Sequence, residues 1–413
     1  MIKIAILSPD AIRLPLVANA PEYKEENGKL FLLKDKCSRA TAIGQRVEYF
    51  ANILSEDFDV TVLVPDLNYP GRENIDAPKL KFKTLSYDWF AANWKYSKDL
   101  ADILSEFDVV IIPTTTGTGF KNVSNLSKNK LVIADGWVPF LVEFPCALLS
   151  YDDDQIRSQH WNKGVPQYME LMRRVDLILY ANDTQGHFYE GLSMCLGKLN
   201  YNSYKSLPIM KVPYGVENKY PTIETKRSGA TRLIWYGSIY PWYNPFPLAE
   251  AIKNSKTISV DFIGLEHPRF KKLHKNKYKE IFEEYDGIRF TTEYNDNPSS
   301  MLYEYDAGII IAQNWLENKY SNRCRIFDMI SHGLPVIMNE GSPLFKEDIL
   351  KPVLFGVSID SLKRDLEQLC NESDSLAISK EFFDEIYYKL SWKKCLEPLI
   401  NYIGDYSREK TKS

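Results

Sequence analysis

Short runs of Val, Ile and Leu recur along the chain, and most are followed by a stretch in which apolar residues return every three or four positions. The first run is Ile2–Leu7. After it, Val47, Phe50, Ala51 and Leu54 keep helical spacing, which predicts a helix from about Gly44 to Ser55. Further strands are predicted at Asp59–Val64, Val109–Ile112, Leu131–Ala134, Leu177–Tyr180 and Ile209–Val212, with a helix near Leu100–Ser105. Nearly continuous apolar strands alternating with helices predict a parallel sheet covered on both faces.

The pattern then restarts. Thr222–Ala230 is polar and reads as an interdomain linker. Strands follow at Arg232–Tyr236, Ser259–Ile263, Ile288–Phe290, Ala307–Ile311 and Pro335–Met338. Helices are expected near Pro247–Lys253, Met301–Glu304, Arg323–Ser331 and Ser361–Leu369, and Lys380–Ile403 reads as helix with a break near Ser391. The expectation is an α/β chain of two doubly wound parallel-sheet domains, with ligands bound at strand C-terminal ends facing a cleft between them.

Composition narrows the classes. The chain has 413 residues, enough for two or three domains, and 44% are apolar. Fifty-one Lys and Arg against 55 Asp and Glu leave a net charge of −4, which argues against nucleic acid as the main partner. No apolar run is long enough for a transmembrane helix, and the N-terminus reads as a strand rather than a signal peptide. Six scattered Cys without metal or redox spacing suit a reduced, cytoplasmic protein.

The candidate chemistry gathers in the second half. Gly237 and Ser238 follow a strand and lack bulk, so backbone N–H groups there can approach a phosphate. No Gly-x-Gly-x-x-Gly and no Walker motif occurs, which excludes the usual dehydrogenase and P-loop readings. In Glu317–Ile337, Ser321 is the expected N-cap of a helix that Gly333 and Pro335 end. Arg325 and Asp328 are three apart and share a helical face, where they either pair with each other or meet a ligand. Arg323 and Arg325 near a helix N-terminus oppose the macrodipole and make more sense facing a diphosphate. Asp328, one turn on, suits a ribose diol, and Trp235 or Tyr236 suits a base pocket.

In the first half, Asp135 ends a strand and either orients a sugar hydroxyl or caps a helix. Glu143 and His187 are further polar candidates on that side. Asp152-Asp153-Asp154 resembles an acidic metal motif but reads as a solvated loop. The basic run Arg269–Lys279 alternates with acids and reads as a solvated helix face, with anionic lipid or nucleic acid as the other reading.

Arg325, Asp328 and Gly333-Leu334-Pro335-Val336-Ile337 resemble the donor-binding helix of the family-four retaining glycosyltransferases, which have the two-domain GT-B fold. Other pieces agree in order. These are Ile43-Gly44-Gln45-Arg46 at the first long helix, the strand segment Val175–Asn182 and the crossover Val212-Pro213-Tyr214-Gly215-Val216. Tyr236-Gly237-Ser238-Ile239 matches the phosphate loop, Phe262-Ile263-Gly264 the second strand of the donor domain, and Ser391-Trp392-Lys393-Lys394 the closing helix. The family has two Glu eight positions apart. Here Asp328 stands for the second, Tyr320 occupies the place of the first, and Glu317 is the nearest acid.

The resemblance implies a Rossmann-like acceptor-side domain at 1–221, a donor domain at 222–390, and a helix at 391–413 packing back on the first. It implies a nucleotide-diphosphate sugar as co-substrate, with no further cofactor and no metal. The donor would be held by Gly44, Gly237, Ser238, Ser321, Arg323, Arg325 and Asp328, with Asp135, Glu317 and Arg325 at the reaction centre. Asp135, Glu143 and His187 would serve a saccharide or lipid-linked acceptor, which allows a peripheral contact at the inner membrane face. Two rivals stay open: a nucleotide-sugar epimerase on the same fold, and a noncatalytic nucleotide-sugar-binding or assembly protein.

Overall fold

The structure is a computed structural model. It describes residues 1–9, 22–26, 29–33, 42–66, 81–115, 117–149, 151–199, 201, 203, 208–221, 230–237, 239–240, 242–263, 285–291, 301–313, 315–371 and 376–410, with 22–33 as backbone only. The chain divides into two compact units, Met1–Tyr214 with Trp392–Ser413, and Gly215–Ser391. Most of the polar stretch read as a linker (222–229), Gly264 and the basic run at 269–279 lie outside the described residues.

The first unit holds strands β1 (Lys3–Leu7), β4 (Asp59–Asp66), β5 (Lys83–Asp88), β6 (Val109–Pro113), β7 (Leu131–Asp135), β8 (Leu177–Tyr180) and β9 (Ile209–Lys211) in one sheet. Their order is β5-β4-β1-β6-β7-β8-β9, and every pairing is parallel. A separate antiparallel pair joins β2 (Glu22–Glu26) to β3 (Lys29–Leu33). The central strands are buried along their length, as in Ile4–Leu7 and Val109–Ile112, because helices cover both faces. Strand β5 and the β2–β3 pair go beyond the sequence expectation. Only Tyr87 of β5 is buried, so that edge strand carries no apolar run.

The second unit holds β10 (Thr231–Tyr236), β11 (Ile258–Ile263), β12 (Ile288–Thr291), β13 (Ala307–Ile310), β14 (Val336–Asn339) and β15 (Leu354–Val357). They form an all-parallel sheet in the order β12-β11-β10-β13-β14-β15. From β10 the chain builds outward through β11 and β12, then returns to add β13 on the other side. The C-terminal ends of β10 and β13 therefore flank a topological switch point, where ligands bind in open α/β sheets. The same reversal separates β1 from β6 in the first unit.

One buried charge pair organises the first unit. Arg46, on the helix Ala42–Leu54, is fully buried and meets Asp135, 2% exposed, at the end of β7. Nε donates to Oδ2 at 2.8 Å and Nη2 to Oδ1 at 3.0 Å. The guanidinium also donates to the carbonyls of Val212 at 3.0 Å and Pro213 at 3.2 Å. Its Cζ lies 4.6 Å from the Phe50 ring centroid, 5.6 Å from Trp137 and 5.9 Å from Trp392. Trp392 opens the helix Trp392–Lys410 and stacks on Tyr49 at 4.4 Å. This helix begins after a break at Ser391, whose backbone is extended at ψ 147°.

Asp135 thus caps no helix: the N-cap of Phe140–Leu148 is Pro139. Burial of Arg46 and Asp135 is tolerable because the pair is bidentate and two of the other three guanidinium protons find carbonyls. Arg46→Met, which strands the Asp135 carboxylate, is expected to cost about 3–5 kcal/mol in urea unfolding. A loss below about 1 kcal/mol would remove the pair from this organising role.

Candidate functional site at the second switch point

Three segments converge where β10 and β13 end. The first is the turn after β10. Gly237 has φ +103°, a left-handed conformation that disfavours any side chain. A Cβ there would stand 3.0 Å from the Arg325 Cζ. The glycine is therefore what allows the Arg325 guanidinium to lie against the backbone at the end of β10. Ser238, its expected partner in phosphate binding, lies outside the described residues.

The second segment is the aromatic turn Trp242-Tyr243-Asn244. It runs beside the continuation of β13: Gln313 N–H donates to the Trp242 carbonyl at 2.8 Å, and Asn244 N–H to Ile311 at 3.2 Å. This register places the Tyr243 ring, 4% exposed, against both cations. Arg323 Cζ lies 4.6 Å and Arg325 Cζ 4.7 Å from its centroid, within cation–π range.

The third segment connects β13 to the helix Cys324–Ser331 through a short helix, Leu316–Tyr320. Glu317, 2% exposed, accepts from Arg323 Nη2 at 2.9 Å, and the same nitrogen donates to Asn318 Oδ1 at 3.1 Å. Burial pushes the Glu317 carboxyl above the usual carboxylate range, against the opposing pull of Arg323 and, more weakly, Arg325. Burial also disfavours the Arg323 charge, but Glu317 and Tyr243 more than offset it, and its pKa rises.

Two local expectations change here. Ser321 is not the N-cap of the long helix; it closes Leu316–Tyr320, donating its N–H to the Glu317 carbonyl at 2.8 Å. The N-cap position belongs to Arg323, in extended conformation at ψ 106°. Its side chain turns back to Glu317, so Arg323 is committed to an ion pair within the protein. Arg325 is the cation at the first turn that lies against Gly237. Asp328 follows one turn later and is half-buried. The helix then stops at Gly333, φ +72°, with Leu334 N–H on the Met329 carbonyl and Gly333 N–H on Ile330. That is a Schellman end.

The structure thus brings Gly237, Glu317, Ser321, Arg323, Arg325 and Asp328 onto neighbouring segments of the second unit. The remaining candidates belong to the first unit. Gly44 sits in the first turn of Ala42–Leu54, Glu143 in the first turn of Phe140–Leu148, and His187 is exposed on Asp183–Cys195. Asp135 is sealed with Arg46. Trp235 is 1% exposed and packs on Phe262 and Tyr243, which makes it a core residue rather than a base-pocket wall. Asp153 caps the helix Asp154–Arg174 and Asp154 pairs with Arg157, so two of the three acids have structural roles. Sequence reading missed Tyr243, Asn318 and Asn322. Tyr243 was legible only as one aromatic among several, and the two Asn fall between the motif positions.

No protein-family model and no curated protein matches the chain. Solved structures do match it in fold. Sucrose-phosphate synthase from Thermosynechococcus elongatus superposes with a TM-score of 0.63 at 11% identity, covering 100% of both chains. Anabaena HepE, in complex with UDP and glucose, gives 0.58 at 9% identity over 98% of this chain and 100% of that one. The lipopolysaccharide outer core galactosyltransferase WaaB gives 0.56 at 11% identity over 98% and 99%. With its seven-stranded and six-stranded parallel sheets, the chain has the two-domain GT-B fold. No helix among the described residues is long and apolar enough to cross a membrane.

The buried pair makes a pH prediction. Glu317 holds its proton more tightly in the folded chain than at its unfolded pKa of about 4.3. Its contribution to stability is full below that value and falls as pH rises through the folded pKa. Glu317→Gln does not titrate. The stability of the wild type relative to Glu317→Gln is therefore expected to fall as pH rises above about 4 in urea unfolding. A constant or rising difference would contradict the assignment.

Proposed function

We propose that the chain is a retaining glycosyltransferase that moves a sugar from a nucleoside-diphosphate sugar to a saccharide or lipid-linked saccharide acceptor, in the synthesis of surface polysaccharide or another glycoconjugate. The observation that carries this reading is the Arg325 guanidinium held against Gly237 at the second switch point. A fixed cation, an open glycine backbone and the first turn of a helix at one point form a receptor for a diphosphate.

In this reading the chemistry is mainly electrostatic. Breaking the bond between sugar and β-phosphate leaves charge on the diphosphate, and Arg325 with the first turn of Cys324–Ser331 stabilises it where it develops. Asp328, one turn deeper on the same helix, takes the ribose hydroxyls. Glu317 and Arg323 act as positioning residues: their ion pair fixes the loop from which Arg325 emerges. Asp135 positions Arg46 and the backbone around it, while Glu143 and His187 are candidate acceptor contacts. The nucleotide sugar is a co-substrate, and neutralisation of the leaving group falls to protein cations rather than to a metal. The acceptor arrives from the face the leaving group departs. A lipid-linked acceptor would place the enzyme at the cytoplasmic face of the membrane.

The UDP and glucose held by HepE make uridine nucleotides the first probes. Arg325→Ala is expected to weaken UDP binding by about 10–100-fold in calorimetry, the range of a lost charge-assisted hydrogen bond. An unchanged dissociation constant would rule out its role at the diphosphate.

A further inference from the structure

Asn322 has no role so far, yet its side chain is anomalous. It stands between the end of Leu316–Tyr320 and Arg323, the N-cap of Cys324–Ser331. It is 5% exposed. Both its Nδ2 and its Oδ1 are buried and lack a hydrogen-bond partner among the described residues. Its neighbour Asn318 shows what a structural amide does in this loop: its Oδ1 accepts from Arg323. Buried amides are nearly always paired, and an exception calls for an explanation.

We propose that the Asn322 carboxamide reads hydroxyl groups on the sugar of the donor, and so contributes to donor selection. The inference rests on the glycosyltransferase reading above. The chemistry of the amide chooses the ligand group. A phosphate oxygen can only accept, and would satisfy Nδ2 while repelling Oδ1. A hydroxyl both donates and accepts, so one hydroxyl or a vicinal pair satisfies both amide atoms. Arg325, a donor without acceptors, suits the diphosphate; Asn322, three residues earlier, suits what the diphosphate carries. Among the described residues no hydrogen bond holds the amide, so a turn of the side chain toward a bound sugar breaks none there.

The test is calorimetry of full-length wild type, Asn322→Ala and Asn322→Asp. The titrants are UDP and the tightest-binding of UDP-glucose, UDP-galactose and UDP-N-acetylglucosamine. The readout is the ratio of the dissociation constant for the UDP-sugar to that for UDP. Asn322→Ala is expected to leave UDP binding within about twofold and to raise the ratio by about tenfold or more. Asn322→Asp, which keeps the shape but cannot donate when ionised, is expected to raise it as well. It serves as the second variant if the alanine chain does not fold. An unchanged ratio in the folded variants overturns the proposal and leaves a hydrated structural amide. Equal weakening of UDP and UDP-sugar also overturns it, moving the contact to the nucleotide. Wild type that binds UDP but none of the three sugars overturns the sugar contact alone. Wild type that binds neither UDP nor the sugars sinks the parent reading.

Discussion

The architecture of the candidate site depends on one buried ion pair. Arg323 stands where a helix would ordinarily take a Ser, Thr, Asp or Asn cap, and a cation at that end opposes the helix dipole. Glu317 resolves the conflict by drawing the guanidinium away from the helix and into contact with Asn318 and the Tyr243 ring. The cost of burying two charges is offset only in part by close geometry and by the aromatic face. A different loop follows from that choice. With Arg323 turned inward, Arg325 is the cation that reaches Gly237.

The parallel sheet makes this arrangement useful. Because β10 and β13 are neighbours but not consecutive, two unrelated connections leave the same edge of the sheet. One brings a left-handed glycine, the other a cation at the start of a helix. Neither alone distinguishes a ligand site from an ordinary loop. Their meeting at the switch point, so close that a Cβ on Gly237 would stand 3.0 Å from the Arg325 Cζ, is what suits an anion. The first unit uses a buried ion pair too, but to a different end: Arg46 ties a strand end, the crossover carbonyls and Trp392 into one packed cluster.

Much of the fold was legible because its signals are local. Central strands such as Ile4–Leu7 and Val109–Ile112 are apolar throughout, and Gly333 with Pro335 marks a helix end. Strand β5 was not legible, since an edge strand with one buried residue has no apolar run to read. β15 was missed as well; it is only four residues long, and Gly356 interrupts its apolar run. At the candidate site, the spacing of Arg325 and Asp328 could be read from the sequence, and so could their place on one helix. The commitment of Arg323 to Glu317 could not, because it depends on a turn that reverses the side chain over six residues. Asp135 presented the same difficulty at longer range: its partner lies 89 residues away, and a lone Asp at a strand end looks free until that partner is placed.

The central claim is that this chain binds a nucleotide sugar at the end of β10 and β13 and cleaves it there. The most direct measurement is release of nucleoside diphosphate across a panel of nucleotide sugars, by wild type and Gly237→Ala. A Cβ at Gly237 would press on the Arg325 guanidinium and strain the turn, so the variant should fold but lose the reaction. The account predicts slow release from one or a few donors by the wild type, abolished in Gly237→Ala. Release from no donor, release untouched by the substitution, or conversion of a donor to its epimer without release would contradict it.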